Sequence, residues 1–298
     1  MRALQITQTG AAPVLRDVPE PVPGPGEALV RIAACGLNFA DTLMVEGRYQ
    51  ERPDLPATLG MELAGTVESL GPGTEGPAPG TRVAVFAGTG GLAEAGAFPS
   101  DRCLPLPDAM SFEQGAAFSV AYGTSHLALD HKARLRPGER LVVTGAAGGV
   151  GLTAVEIGAL MGAEVVAIAR GADKLEVARA AGAHHLIDAE ADDIRDRIKA
   201  LGGADVVYET VGGALWDACF RAANPEARLL AIGFAGGAVP QIKANHLLVK
   251  NLSVLGLYWG GYLAFKPKVL TDSLTQLMAW HAEGRIKPHV SHVLPLDR

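Results

Sequence analysis

The densest concentration of chemistry-bearing residues lies in 141-LVVTGAAGGVGLTAVEIGALMGAEVVAIAR, where an apolar run meets Gly145, Gly148, Gly149, Val150 and Gly151 and then an Ala-rich stretch. Glycines there permit a tight turn and let the backbone approach a pyrophosphate, while the first N–H groups of the following helix and its dipole face the anion. A glycine triplet alone is weak evidence. A strand before it, a helix after it and a second apolar run about twenty residues on make the dinucleotide reading specific, with a turn chosen only for helix–strand packing as the alternative. At the end of that second run an NAD site places Asp or Glu, whereas this chain has Ala169, Arg170 and Gly171, with Lys174 one helical turn later. Cations without a carboxylate suit a 2′-phosphate, so NADPH is the expected coenzyme, unless these are ordinary solvated charges at a helix start. Asp173 has the spacing of a helix cap relative to Glu176 rather than that of a ribose ligand. Val211 in 208-YETVGG and Gly233, Phe234 and Ala235 in 232-IGFAGG follow apolar runs. They are expected to border the coenzyme, or else to be simple turn residues.

These residues need a scaffold, and the rest of the chain describes one. Of 298 residues, 48% are hydrophobic and 19% charged, which is ample for a packed core and excludes general disorder. The length suits two domains. The 26 Lys and Arg against 32 Asp and Glu leave a net charge of −6 scattered along the chain, so nucleic acid is not an expected partner. Cys35, Cys103 and Cys219 form no Cys-x-x-Cys pair and are odd in number, which points to a reducing cytoplasm and against a four-thiolate zinc site. The opening MRALQITQTG lacks the character of an export signal, and no apolar run approaches the ~20 residues of a membrane span.

Residues 1–120 alternate short strand-like runs with Gly and Pro turns, which predicts a β-rich, mostly antiparallel domain. Residues 121–260 change texture. Apolar runs at 141-LVVTGA, 164-EVVAIAR, 184-HHLIDA, 204-ADVVYET, 227-ARLLAIGF and 252-LSVLGLYW are separated by helical stretches at 149–162, 173–182, 190–201, 213–223 and 242–250. That rhythm predicts an α/β fold with a doubly wound, parallel Rossmann sheet. Residues 261–298 hold a helical stretch, 267-PKVLTDSLTQLMAWHAEGRI, and a strand-like PHVSHV.

The residues 36-GLNFADTLMVEGRY, 60-GMELAGTVESLG, 121-AYGTSHLAL, the glycine turn and 233-GFAGGAVPQIKANHLLVKNLSVLGLYWGGY carry a family resemblance along essentially the whole chain. It resembles the zeta-crystallin-type quinone oxidoreductases of the medium-chain dehydrogenase/reductase superfamily. The resemblance implies a GroES-like catalytic domain built from both ends of the chain, a Rossmann domain inserted between them, and an active cleft. It also implies a homodimer paired through the edge strand near 252–258, which would cover an exposed sheet edge. By resemblance Asn38 lies near the nicotinamide or the acceptor oxygen, where its amide could donate to developing charge; it also suits a helix N-cap. Tyr49 matches a tyrosine of the active cleft whose phenol could supply a proton, or is a structural loop residue. Asp41 shares the motif and could serve only to cap or pair. Thr124 is expected near the nicotinamide end.

Zinc-dependent alcohol dehydrogenases of the superfamily carry Cys where this chain has Asn38, and His where it has Met61. Neither amide nor thioether is a usual zinc ligand, so no metal is expected. Cys35 is read as a buried thiol, and the spacing of His289 and His292 in a strand-like run sends the two rings to opposite faces. Without a Lewis acid the acceptor should be strongly electrophilic, a quinone or a conjugated carbonyl. Reduction of the C=C bond of alkenals or enoyl thioesters is the alternative activity, and a non-catalytic NADPH-binding role the alternative class. Relatives carry a tyrosine near the position of Ala189, and their chains continue past the Pro-Leu-Asp-Arg that ends at Arg298. By resemblance the catalytic domain is expected to be incomplete as far as Arg298, either because the chain continues into a final helix and strand or because it is truncated.

Overall fold

A computed structural model describes residues 1–298, which divide into two units, Met1–Val120 with Met278–Arg298, and Ala121–Leu277. The first unit is built on the strand signals of the N-terminal sequence. Strands β1 (Arg2–Ile6), β2 (Val14–Asp17) and β3 (Glu27–Gly36) precede a short helix, α1 (Phe39–Val45), and β4 (Ala57–Thr58). After them come β5 (Glu62–Leu70), β6 (Arg82–Phe86), β7 (Ala95–Pro99), β8 (Cys103–Pro105) and helix α2 (Phe112–Ala116). A five-stranded antiparallel sheet runs β7-β3-β5-β6-β8, and a smaller sheet runs β2-β1-β4. Alternation along β3, β5 and β6 turns Val30, Leu63, Val67, Val83 and Val85 inward, where with Phe98 they form a closed cluster. Each such side chain contributes about 1.5–3 kcal/mol when fully removed from water. Ser111 starts α2 with a reciprocal cap, its hydroxyl accepting from Gln114 N–H and the Gln114 side chain from Ser111 N–H.

The second unit begins inside helix α3 (Ser119–His126) and then follows the predicted alternation: β9 (Arg140–Thr144), α4 (Gly149–Leu160), β10 (Glu164–Ala169), α5 (Ala172–Ala180), β11 (His185–Asp188), α6 (Ile194–Ala200), β12 (Ala204–Glu209), α7 (Gly213–Ala222) and β13 (Ala223–Ala231). Helix α8 (Ala244–Lys250), β14 (Ser253–Gly256) and the short α9 (Tyr262–Phe265) complete it, with most of α10 (Pro267–Ala282). All six strands pair in parallel in the order β11-β10-β9-β12-β13-β14. The chain winds outward from β9 through β10 to β11, then returns to β12 on the other side of β9. The β9/β12 boundary is thus the point where strand order reverses, and the carboxyl ends of these strands are where a doubly wound sheet binds ligands. Leu141, Val142 and Val143 of β9 and Val206, Val207 and Tyr208 of β12 are fully enclosed, as central strands covered on both faces require.

The structure differs from the sequence expectation in the second boundary, which falls at Leu277/Met278 instead of 260/261. Leu270, Leu274 and Leu277 on one face of α10 are buried, and Ser273 on that face bonds His126 Nδ1 at 2.8 Å, so this stretch is tied to α3 within the second unit. The strand expected at PHVSHV does not form, and His289 and His292 stand exposed in irregular chain.

Candidate functional sites

The glycine turn is the best defined element of the nucleotide-binding unit. Gly145 sits at φ +60°, where a side chain is strained, and a Cβ there would lie 2.5 Å from Thr210 Oγ1. Gly148 N–H donates to Gly145 O at 2.9 Å, and Gly148 then caps α4 in extended conformation. A Cβ on Gly151 would fall 2.1 Å from Gly145 O, so the last glycine is what lets α4 seat on the turn. Gly149 meets nothing within 4 Å on its Cβ side, and Gly148 and Gly149 are exposed. The outer face of the turn is open while the N–H groups of Gly149, Val150 and Gly151, which have no partner inside the helix, begin α4. This arrangement fits a dinucleotide pyrophosphate: backbone close approach, helix N-terminus and absence of obstructing side chains coincide.

Beneath the turn lies a polar lattice that the sequence pattern does not disclose. Glu209 ends β12 fully enclosed, its carboxylate accepting from Thr144 Oγ1 at 2.9 Å, Val211 N–H at 3.0 Å and Gly212 N–H at 2.9 Å. Burial pushes its carboxyl above the usual range, and the backbone and Thr144 bonds pull it back. Thr210 returns the connection, its N–H donating to Thr144 Oγ1 and its hydroxyl to Thr144 O. A buried hydroxyl trio, Ser125, Thr153 and Tyr208, joins α3, α4 and β12, with Ser125 Oγ also donating to Val150 O at 2.8 Å. The one signal for Glu209 is an acid directly after the apolar core of a strand, ADVVYE; the hydroxyls give none, since Ser and Thr on helices are usually solvated. Thr124 is buried in α3, one residue before this trio. Val211 lies on the turn after β12, and the loop after β13 folds onto it, with Ala235 N–H on Thr210 O and Gly236 N–H on Val211 O. Val211, Gly233, Phe234 and Ala235 thereby gather at the carboxyl ends of β12 and β13.

Two expectations at the end of β10 need correction. Asp173 does not cap α5; Gly171, at φ +81°, holds that position and Asp173 lies in the first turn. A carboxylate does stand beside Arg170, because the turn after β11 brings Glu190 within 3.3 Å of its Nε. Both side chains are mostly exposed, at 76% and 69%, so the pair is weak. Lys174 is exposed and makes no ion pair or hydrogen bond.

In the first unit, Asn38 is the N-cap residue of α1 and forms a capping box with Asp41, while its Nδ2 donates to Glu62 Oε1 at 2.9 Å. Glu62 is buried, and its second oxygen accepts from Val120 N–H at 2.9 Å. Burial pushes this carboxyl up to about 7 against the lowering effect of the Val120, Asn38 and Ser119 bonds, with Asp41 adding to the rise. Glu62 is the main residue absent from the sequence expectation; its only signal is an acid opening the apolar run of β5, on the face opposite Leu63. Asp41 accepts from Asn38 N–H at 2.8 Å and from Gly60 N–H at 3.3 Å, and also from Met61 N–H. It thus braces the start of α1 against the turn before β5. Tyr49 packs half-buried against the cluster of Ile6, Met44, Ala57, Leu59 and Met61. Leu37 and Phe39, on either side of Asn38, are exposed apolar side chains, at 70% and 55%.

The donor set at these positions does not suit zinc. Met61 is buried in the apolar cluster, Asn38 is engaged with Glu62, and no three His, Cys, Asp or Glu side chains converge as a metal cage. Cys35 is half-buried and its thiol donates to Gly36 O, while burial raises it well above the usual thiol range; the same cause pushes Cys103 up to about 11.

Comparison with known proteins agrees with this reading of both units. A family model described as Alcohol dehydrogenase GroES-like domain matches residues 24–108, and one described as Zinc-binding dehydrogenase matches residues 149–279. The second lies wholly outside Asn38 and Met61, so its name carries no information about a metal here. The chain is 38% identical over 281 residues to the quinone oxidoreductase-like protein 2 homolog of Nematostella vectensis, covering 92% of this chain and 77% of that one. Among solved structures, the quinone oxidoreductase of Thermus thermophilus, also solved as its NADPH complex, is similar at TM-score 0.83 and 36% identity, over 94% of this chain and 87% of that one. The Escherichia coli quinone oxidoreductase complexed with NADPH is similar at TM-score 0.88 and 29% identity, over 98% and 91%. With its GroES-like unit, its doubly wound sheet and a donor set unsuited to zinc, the chain belongs to the zinc-free quinone oxidoreductases of the medium-chain dehydrogenase/reductase superfamily.

Proposed function

We propose that the protein is an NADPH-dependent oxidoreductase whose acceptor is a quinone. The observation that carries the coenzyme is the open glycine turn at the reversal point of the sheet, followed at the end of β10 by Arg170 and the unpaired Lys174. Peptide N–H groups of Gly149, Val150 and Gly151 hold the pyrophosphate, Lys174 holds the 2′-phosphate, and Arg170 joins it on leaving Glu190. Thr124, Val211, Gly233, Phe234 and Ala235 border the rest of the coenzyme. When bound, NADPH supplies a hydride from its nicotinamide ring. Asn38 donates its remaining Nδ2 hydrogen to the acceptor oxygen, Leu37 and Phe39 offer apolar surface to a ring, and Asp41 holds the start of α1 in place. Tyr49 or water delivers the proton that, with the hydride, converts quinone to hydroquinone. The replacement of zinc ligands by Asn38 and Met61 supports an acceptor that is electrophilic without a Lewis acid.

The test is NADPH oxidation against a panel of quinones, alkenals, enoyl thioesters and simple aldehydes, repeated with NADH and after dialysis against a chelator. Quinone reduction with NADPH, much slower with NADH and unchanged by chelation, is the expected result; turnover of enoyl thioesters alone would replace the acceptor, and binding without turnover would replace the activity.

The protein also pairs with a second copy through β14. This strand bonds only β13, leaving its other edge open, and the neighbouring segment exposes Val239, Ile242, Leu248 and Val249. Sedimentation should give a dimer, and Leu248→Glu with Val249→Glu a monomer. No helix is long and apolar enough to cross a membrane.

A further inference from the structure

An asparagine side chain offers a carbonyl on one side and an NH2 group on the other, and a half-turn exchanges them. Its partner decides which is presented. For Asn38 the partner on the Nδ2 side is Glu62, whose Oε1 accepts at 2.9 Å, while the other side of the amide faces Asp41 N–H in the capping box of α1. Glu62 is itself fixed by the main chain, with Oε2 accepting Val120 N–H at 2.9 Å and the carboxyl also receiving Ser119 N–H. Gly36 leaves the space: a Cβ there would fall 3.0 Å from Glu62 Oε1 and 2.3 Å from Ala116 O. No Lys, Arg or His pairs with this carboxyl, and the titratable groups facing it are Asp41 from α1 and Cys35 from β3.

We propose that Glu62 is a positioning residue that fixes which side of the Asn38 amide meets the acceptor, holding Nδ2 so that its second hydrogen is the one available to donate. The inference rests on the role given to Asn38 above. Because burial pushes the Glu62 carboxyl up to about 7, it passes from neutral to charged near neutrality. The charged form accepts from Asn38 Nδ2, Val120 N–H and Ser119 N–H, whereas a protonated carboxyl has an O–H to donate and no longer holds the amide in this sense. The acceptor step therefore strengthens as pH rises through about 7.

Glu62→Gln keeps the shape but not the pattern. With its carbonyl retained on Val120 N–H, its NH2 group faces Asn38, whose amide must turn over. The expected result is a fall in kcat/KM for the quinone of about tenfold or more, loss of the rate change near pH 7, and an NADPH Kd by fluorescence titration within about twofold of wild type, a change worth only about 0.4 kcal/mol. Combining it with Asn38→Asp restores a hydrogen bond, carboxylate to NH2, so the melting temperature recovers while kcat/KM does not. A Glu62→Gln enzyme with wild-type kcat/KM and pH profile overturns the inference, as does a double variant whose turnover recovers with its melting temperature. A wild-type protein that binds NADPH but reduces no quinone overturns the functional reading as well, which separates the two failures.

Discussion

Glu62 and Glu209 are the same residue type, each enclosed, each facing N–H donors and no cation, yet they do different work. Glu209 spends its bonds on its own turn and on Thr144 next door, so every partner is architecture. Glu62 divides its bonds between the main chain at Val120 and a side chain, Asn38, that still has a hydrogen to give. A buried carboxyl bonded only to backbone and neighbouring hydroxyls shapes a site. One bonded to a polar side chain beside exposed apolar residues tunes it.

The largest effect should come from breaking the architectural member. Glu209→Leu orphans the N–H groups of Val211 and Gly212 and the Thr144 hydroxyl, each costing about 1–3 kcal/mol when left buried and unpaired. A loss of roughly 3 kcal/mol or more is expected, or about 6–12 °C in Tm for a unit of this size, together with weaker NADPH binding because the Gly145 turn rests on Thr210 and Thr144. A variant that melts like wild type would show that the lattice is not what holds the turn. Gly151→Ala comes next. Its methyl must displace Gly145 O from 2.1 Å, which opens the turn, so NADPH affinity should fall about tenfold or more, measured by fluorescence titration. If binding survives unchanged, the coenzyme does not rest on this turn.

The tuning member should be visible in stability against pH. Glu62 has a folded value of about 7 against 4.5 for the free side chain, so in this window the unfolded chain holds fewer protons than the folded one. Stability is therefore lost as pH rises from about 4.5 to 7, by roughly 3 kcal/mol for this group, and the penalty persists above that. Glu62→Gln, which cannot ionise, should lack this component. Denaturant midpoints for the two proteins at pH 5 and pH 8 decide it; parallel shifts would mean that Glu62 titrates normally.

Shape and tuning also differ in how far the amino-acid sequence reveals them. The parallel sheet is legible there because continuous apolar strands and helical intervals recur with regular spacing, and the glycine turn because a steric requirement leaves only one residue type. Gly145 and Gly151 are dictated by contacts a Cβ could not make. Glu62 and Glu209 are harder to read, since one letter in a strand does not tell what faces it; their partners, Asn38 and Thr144, lie 24 and 65 residues away. Asp173 misleads for a related reason: Gly171 at φ +81° takes the cap, and a backbone conformation of that kind competes invisibly with side-chain capping. The second domain boundary differs from its expected place because helical periodicity in α10 shows which face is apolar but not which core receives it.

Glu190 offers the smallest and sharpest test, a carboxylate that neither shapes nor tunes by burial because it is largely exposed. Its pairing with Arg170 at 3.3 Å is worth at most about 1 kcal/mol. In the proposed site a 2′-phosphate competes with Glu190 for Arg170, whereas Lys174 has no carboxylate paired with it. Binding of 2′,5′-ADP and 5′-AMP isolates that one group. Lys174→Ala should weaken 2′,5′-ADP about tenfold or more, as loss of a charge-assisted bond implies. Glu190→Gln should strengthen it by no more than about fivefold, with the gain fading as salt screens the exposed charges. 5′-AMP should ignore both changes. Equal effects on the two nucleotides would place these side chains away from the 2′ position, and the preference for NADPH over NADH would then have to be sought elsewhere on the unit.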